Sequence, residues 1–194
     1  MASEFQRAKL TTMFAAFDTD RNGCLDRDDF QDLAERWHRL PRVAADPELA
    51  GRVTEVVLGW WERLSAAADR DNDGDVDLDE ILAMVDRLPA MLEAVNATAD
   101  AVFDAVDEDG DGRISHAEHR RLVNTWHGRA IDTADVFEVL DRDGDGYLGR
   151  SEFALLWAQF WISDDPADPG NLLCGPVPRQ RPRPSANSSE RCRS

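Results

Sequence analysis

The chain has 194 residues, of which 42 % are hydrophobic, and its formal net charge is −17. This length can bury one large core or two smaller ones, whereas the acidic charge argues against nucleic acid and anionic membrane surfaces as partners, because both need a basic face. No stretch predicts a signal peptide or a membrane-spanning helix, and the three cysteines fit no metal or disulfide motif. These features favour a cytoplasmic protein.

A twelve-residue pattern occurs four times along the chain. It reads DTDRNGCLDRDD at 18–29, DRDNDGDVDLDE at 69–80, DEDGDGRISHAE at 107–118 and DRDGDGYLGRSE at 141–152. Each copy has carboxylate or amide oxygens at positions 1, 3 and 5, glycine at 6, an aliphatic residue at 8 and an acid at 12. Ca²⁺ takes six to eight oxygen ligands, and glycine tolerates the positive φ of a sharp turn. The pattern therefore predicts four EF-hand calcium loops.

The candidate metal ligands are the side chains at positions 1, 3, 5 and 12, together with the backbone carbonyl at position 7. They are Asp18, Asp20, Asn22, Cys24 and Asp29 in the first loop; Asp69, Asp71, Asp73, Asp75 and Glu80 in the second; Asp107, Asp109, Asp111, Arg113 and Glu118 in the third; and Asp141, Asp143, Asp145, Tyr147 and Glu152 in the fourth. Asp29 is one methylene shorter than the glutamates that close the other loops. We therefore predict that loop 18–29 is the weakest Ca²⁺ site of the four and the best Mg²⁺ site, because octahedral Mg²⁺ suits closure by a single oxygen.

Apolar residues at helical spacing flank the loops, which predicts helices on both sides of each one. The first two loops are further apart than the last two, and the extra length lies in 40–68. Pro41 is expected to end the helix after the first loop. Asp46 and Pro47 predict the N-cap and first turn of a long helix at about 47–68. Leu88-Pro89 is expected to break any rod between the two pairs of loops.

The four loops, the stretched first pair and the run FWISDDPADPGNLLCG at 160–175 resemble the sarcoplasmic calcium-binding protein family and its bacterial calerythrin-like members. The resemblance covers about residues 5–175. It implies an all-α fold in which four EF-hands form two pairs, packed face to face into one compact unit. It also implies short β-bridges between paired loops at position 8. One loop is often degenerate in that family, whereas all four loops keep their ligand positions here.

Four segments are expected along the chain. They are an N-terminal EF-hand pair at 1–88, a C-terminal pair at 89–162, a C-terminal segment at 163–177 and a disordered basic tail at 178–194. Leu172, Leu173 and Val177 could return to a groove between the halves, or the segment could be a loose terminus. The tail could dock on an acidic surface or remain solvated.

Two other groups of residues have an alternative reading. His116 and His119 lie three residues apart, and His127 follows later on the same predicted helix. A zinc site would need a third and a fourth ligand at matched geometry, and none is evident. The six tryptophans could line a groove for a partner helix, but their places on amphipathic helices favour a core. Trp60 and Trp61 are adjacent on one helix, so at least one is expected to face the other half or solvent.

No nucleophile motif or phosphate-binding loop occurs, so the sequence does not predict an enzyme. The leading hypothesis is a monomeric calcium buffer or signal modulator. The alternative is a calcium sensor that regulates a protein partner, whose identity the sequence leaves unknown. Sensors typically expose a methionine-rich groove, and only Met13, Met84 and Met91 follow the initiator here.

Overall fold

The computed structural model describes residues 3–84 and 92–176, and the chain within them is mainly helical, with two small antiparallel sheets. The helices are α1 Glu4–Phe17, α2 Arg27–Trp37, α3 Pro41–Ala45, α4 Pro47–Ala68, α5 Leu78–Ala83, α6 Leu92–Val106, α7 His116–His127, α8 Ala134–Leu140 and α9 Arg150–Ile162, followed by a 3₁₀ helix at Pro169–Leu172. The strands are β1 Cys24–Leu25, β2 Val76–Asp77, β3 Arg113–Ser115 and β4 Tyr147–Gly149. The predictions for Leu88-Pro89, Val177 and the tail 178–194 lie outside the described residues.

The loops pair through the short strands that the sequence predicted. β1 pairs with β2, where Leu25 stands opposite Val76, and β3 pairs with β4, where Ile114 stands opposite Leu148. These four position-8 side chains are fully buried. The all-α fold with two EF-hand pairs and short β-bridges is thereby confirmed.

The long helix of the second hand is also confirmed, because α4 spans Pro47–Ala68. The side chain of Asp46 accepts hydrogen bonds from the backbone N–H groups of Glu48 and Leu49, and Pro47 occupies the first turn. The expectation for Pro41 is wrong in detail. The preceding helix ends at Trp37, and Pro41 begins the short helix α3, where its missing N–H costs nothing in the first turn.

Aromatic side chains join the two halves of the molecule. The ring of Trp60 on α4 lies 6.1 Å from that of Trp126 and 6.0 Å from that of Trp157, both in the C-terminal half. Trp126 in turn lies 5.1 Å from Phe17 on α1. Trp37, Trp61, Trp126 and Trp157 are buried, and Trp60 and Trp161 pack against the core partly exposed. The core interpretation of the tryptophans therefore holds, and Trp60 faces the other half.

Residues 163–176 lie against α1 and α7. The buried Nζ of Lys9 donates hydrogen bonds to the Ser163 carbonyl at 2.5 Å and to Asn171 Oδ1 at 3.0 Å. From α7, Nε2 of His119 lies 2.8 Å from the Leu173 carbonyl, and Nε2 of His127 lies 2.8 Å from the Cys174 carbonyl. Because a carbonyl can only accept, each Nε2 carries the proton, and these histidines hold the C-terminal segment.

Lys9 gives this region a predicted pH dependence. Burial lowers the pKa of Lys9 from 10.5 to about 8, although Asp164 and Asp168 oppose the shift. The cost of burying the charge is therefore fully present below pH 8 and disappears as pH rises towards 10.5. Between pH 7 and 10, Lys9 should raise the free energy of unfolding by roughly 2 kcal/mol.

Chemical denaturation of the wild type and of Lys9→Met across this pH range tests the expectation. The comparison isolates Lys9, because other titrating groups change both curves equally. The difference between the two unfolding free energies should grow in favour of the wild type as pH rises. Parallel curves would show that Lys9 is not buried as a titrating group.

Candidate metal centres

Each predicted loop gathers carboxylates into a potential metal site. Among the described residues, the sets of three or more His, Cys, Asp or Glu side chains whose ligand atoms all lie within 4.8 Å of one another are those of the four loops. They are Asp18, Asp20 and Asp29; Asp69, Asp71 and Asp73; Asp107, Asp109 and Glu118; and Asp141, Asp143 and Glu152. The structure therefore brings together most of the predicted side-chain ligands. No histidine belongs to such a group in the described part of the chain.

The glycine at position 6 makes this convergence possible. Gly23, Gly74, Gly112 and Gly146 have φ values between 83° and 94°, which other residues rarely adopt. In the first loop, the Gly23 N–H donates to Asp18 Oδ2 at 3.1 Å, so the turn brings position 6 back onto the first ligand. The corresponding bonds from Gly74, Gly112 and Gly146 occur in the other loops.

Position 4 also adopts the left-handed conformation, which the sequence analysis missed. Gly110 and Gly144 occupy it in the third and fourth loops with φ of 74° and 73°. Arg21 and Asn72 occupy it in the first and second loops with φ of 63° and 59°. The glycines at this position in two of the loops were the sequence signal from which the left-handed conformation could have been predicted. Arg21 stores backbone strain there, because its Cβ disfavours this conformation.

The acid at position 12 closes each loop by accepting backbone hydrogen bonds. Glu118 illustrates the arrangement: its Oε1 accepts from the Glu108 N–H at 2.7 Å, and its Oε2 accepts from the Ser115 N–H at 2.7 Å. These bonds lower the pKa of Glu118 even though burial alone would raise it. Glu80 and Glu152 accept the equivalent bond from the residue at position 2. The closing carboxylates are thus held in place by the loop itself.

Asp29 makes the same contacts with a shorter side chain. Its Oδ1 accepts from the Thr19 N–H at 2.7 Å, and its Oδ2 accepts from the Asp26 N–H at 3.1 Å. Burial raises the pKa of Asp29, and the side chain is only 3 % exposed. The backbone of the first loop therefore lies close enough for an aspartate to close it.

The buried carboxylate of Asp18 is a further reason why a cation fits the first loop. Asp18 Oδ1 is buried and has no hydrogen-bond partner among the residues that the structure describes. Burial also raises the pKa of the Asp18 carboxyl, and the nearby Asp29 charge adds to the shift. A buried carboxylate oxygen without a partner is costly, and a hard cation such as Ca²⁺ or Mg²⁺ would satisfy it.

Paired loops also act on each other electrostatically. Burial raises the pKa of Asp75 in the second loop, and the charge of Asp73 raises it further. Asp26 and Asp29 in the first loop contribute in the same direction. Cation binding in one loop therefore lowers the repulsion in its partner, because the negative charges share the β1–β2 side of the molecule.

Position 7 differs in each loop, as expected where the backbone supplies the ligand. The N–H groups of Cys24, Asp75, Arg113 and Tyr147 all donate to the side chain at position 5 of their own loop. The guanidinium of Arg113 lies 4.7 Å from the centre of the Tyr147 ring, which joins the third loop to the fourth. The Arg113 and Tyr147 side chains therefore contribute to the packing between the two loops.

Arg42 is a contact to the third loop that the sequence analysis missed. Its Nη1 donates to the Asp107 carbonyl at 2.6 Å and lies 3.5 Å from Asp107 Oδ2. Asp107 is the first predicted ligand of the third loop, whereas Arg42 belongs to α3 in the N-terminal half. Their separation of 65 positions along the chain leaves no local sequence signal, so only the tertiary fold could place this charge.

Replacing Asp29 with glutamate is expected to raise the calcium affinity of the first loop by about tenfold or more, equivalent to 1.4 kcal/mol. The longer side chain can offer both oxygens to Ca²⁺, whereas Mg²⁺ gains nothing from a second oxygen. Calorimetric calcium titrations with and without magnesium measure the change in the weakest binding step. Asp28→Glu, an exposed neighbour on α2, is the matched control. An unchanged weakest step in Asp29→Glu would refute the assignment of Asp29 as the limiting ligand.

Comparisons with known proteins agree with this geometry. Family models described as an EF-hand domain pair match residues 97–158 and 2–36, and one described as an EF hand matches 66–85. The beta chain of the sarcoplasmic calcium-binding protein of Penaeus sp. is 28 % identical over 173 residues, which cover 83 % of this chain and 90 % of the relative.

Two solved structures share the fold. A Streptomyces coelicolor calcium-binding protein is similar with a TM-score of 0.67 and 26 % identity, over 82 % of this chain and 98 % of the other. The amphioxus sarcoplasmic calcium-binding protein is similar with a TM-score of 0.70 and 21 % identity, over 92 % of this chain and all of the other (100 %). With four loops of carboxylate ligands in the matched regions, the chain is an EF-hand calcium-binding protein.

Proposed function

We propose that this EF-hand protein is a cytoplasmic calcium buffer and signal modulator that acts as a monomer. Ca²⁺ would be held in each loop by the side chains at positions 1, 3, 5 and 12 and by the carbonyl at position 7, with Mg²⁺ competing most strongly in loop 18–29. The functional units would be the pairs at 1–88 and 89–162. The segment at 163–177 would serve as a fixed support and the tail at 178–194 as a solvated extension.

The closed apolar surface of the helical body is the observation that carries this proposal. Among the described residues, the large hydrophobic side chains that are clearly exposed are Val139 and Leu155, at 49 % and 46 %. A sensor needs an apolar groove that a partner helix can enter. The packing of the two halves on each other supports a buffer, because in the described part of the chain it buries most of the aromatic surface that a partner helix would need.

The C-terminal segment supports the same conclusion. Leu173 and Cys174 are buried, and the carbonyls of both accept hydrogen bonds from α7. The segment therefore covers a surface that a partner would otherwise reach. Among the described residues, no helix has the length and apolar character needed to cross a membrane.

A calcium sensor is the second candidate. It is favoured by the similar Streptomyces coelicolor protein, whose structure is described as a basis for calcium-mediated regulation. In that case calcium would separate the halves and expose Trp60 and its neighbours to a protein partner. The two candidates differ in the apolar surface of the calcium-loaded state.

A calcium titration by calorimetry, followed by dye binding to the metal-free and saturated protein, distinguishes the two functions. A buffer is expected to bind Ca²⁺ with dissociation constants of about 10⁻⁹–10⁻⁸ M, to respond to millimolar magnesium, and to leave dye fluorescence unchanged on saturation. Dissociation constants of about 10⁻⁷–10⁻⁵ M with a large calcium-dependent rise in dye binding would overturn the buffer proposal in favour of the sensor. Sedimentation of both states tests the monomer.

A further inference from the structure

An apolar cavity lies between the helices of the N-terminal pair and the last helix of the C-terminal pair. Its volume is about 90 Å³. Aliphatic and aromatic side chains from α1, α2, α4, α5 and α9 line it, among them Met13, Phe30, Leu64, Ile81 and Trp161. An engineered apolar cavity of about 150 Å³ stays dry and binds a single ring. This space therefore suits one short apolar group, and water gains little by filling it.

Arg63 gives the cavity a charged rim. It is the single charged residue among the described residues that line the cavity, and its side chain is exposed. Its Nη1 donates to the Gly59 carbonyl of its own helix at 2.9 Å, and it forms no ion pair with a described carboxylate. A guanidinium has five N–H donors in a planar fork that matches a carboxylate. On a chain of net charge −17, a guanidinium that lies beside an apolar space with no described carboxylate paired to it is a candidate for anion binding.

From these observations we infer that the cavity is a binding site for a small anionic amphiphile, with a short acyl chain between the helices and a carboxylate on Arg63. The apolar lining accepts the chain, and the guanidinium pairs with the head group at the mouth. The flexible side chains of Met13 and Met84 suit a flexible chain, because unbranched thioethers adapt to irregular shapes. This site is separate from the four calcium loops and is independent of whether the protein is a buffer or a sensor.

The lining helices connect the cavity to calcium. α1 and α2 flank the first loop, and α4 and α5 flank the second. Closing those loops around ions fixes the angles between these helices, so the affinity for the amphiphile should differ between the metal-free and loaded states. By linkage, the amphiphile would change calcium affinity by the same factor.

Calorimetric titration of the calcium-loaded full chain with pentanoate tests the inference, with intrinsic tryptophan fluorescence as a second readout for Trp60 and Trp161. We expect one pentanoate per chain. Arg63→Gln should weaken pentanoate binding tenfold or more and leave 1-pentanol binding unchanged, because the alcohol does not need the cation. Arg7→Gln, an exposed arginine on α1, should bind pentanoate as the wild type does.

Leu64→Trp fills the cavity and should abolish binding of both molecules. Thermal unfolding and calcium titration of each variant establish that it is folded, and Arg63→Gln changes an exposed residue whose loss leaves the core intact. Absence of pentanoate binding at millimolar concentration would overturn the proposal. Equal pentanoate affinities for the wild type, Arg63→Gln and Leu64→Trp would overturn it as well, since binding would then lie elsewhere.

Discussion

Adding calcium to the metal-free protein is expected to raise its melting temperature by about 10 °C or more. A ligand at a hundredfold excess over its dissociation constant stabilises the folded state by about 2.7 kcal/mol per site. In a chain of this size, 1 kcal/mol shifts the melting temperature by roughly 2–4 °C. One filled loop would thus give about 5–10 °C, and the chain has four loops. Relief of carboxylate repulsion, as around Asp75, is the physical source.

Differential scanning calorimetry with excess calcium and with chelator, at matched ionic strength, measures this shift. Glu80→Gln removes the negative charge that closes the second loop. It should therefore reduce the calcium-dependent rise in melting temperature by the contribution of that loop. Glu62→Gln, an exposed acid on α4 outside the loops, should leave it unchanged. Identical melting curves with calcium and with chelator would refute calcium binding by the folded loops.

Replacing Trp126 with alanine is expected to reduce the free energy of unfolding by about 3–5 kcal/mol. The side chain is 1 % exposed and lies where the two halves meet. Its ring is 5.1 Å from Phe17 in the N-terminal half and 5.7 Å from Phe160 in the C-terminal half. The substitution therefore leaves a cavity between the halves as well as removing apolar contacts.

Urea denaturation of the calcium-loaded protein measures this loss. Leu155→Ala is the matched control, because Leu155 is 46 % exposed on α9, and its removal should change the free energy of unfolding by less than about 0.5 kcal/mol. A loss below about 1 kcal/mol in Trp126→Ala would mean that the halves do not depend on this packing.

The loops were predictable because their information is local. A calcium loop needs oxygens at fixed spacing and a residue that tolerates positive φ at position 6, and both requirements are visible in twelve consecutive residues. The pairing of Leu25 with Val76 and of Ile114 with Leu148 agrees with the β-bridges at position 8 that the family resemblance implied. The start of α4 was equally visible, since Asp46 and Pro47 form a local cap.

Features that depend on distant residues could not be predicted in this way. Arg42 reaches the first ligand of the third loop across 65 residues, and Lys9 reaches Asn171 across 162 residues. The left-handed conformation of Arg21 and the short helix beginning at Pro41 were missed for a different reason, because local propensity gave a weaker signal than the surrounding structure.

The sequence by itself determined that this protein binds calcium, because metal coordination is decided by residue types at fixed spacing along one loop. It also determined the amphipathic helices around the loops, whereas the pairing of the loops was implied by the family resemblance. Only the tertiary structure decided what surrounds the loops: the aromatic contacts of Trp126, the cavity beside Arg63 and Trp161, and the hold of His119 on the C-terminal segment. Those arrangements depend on how helices from both halves pack, and packing is a property of side-chain shapes meeting in space, which no periodic pattern in the chain specifies.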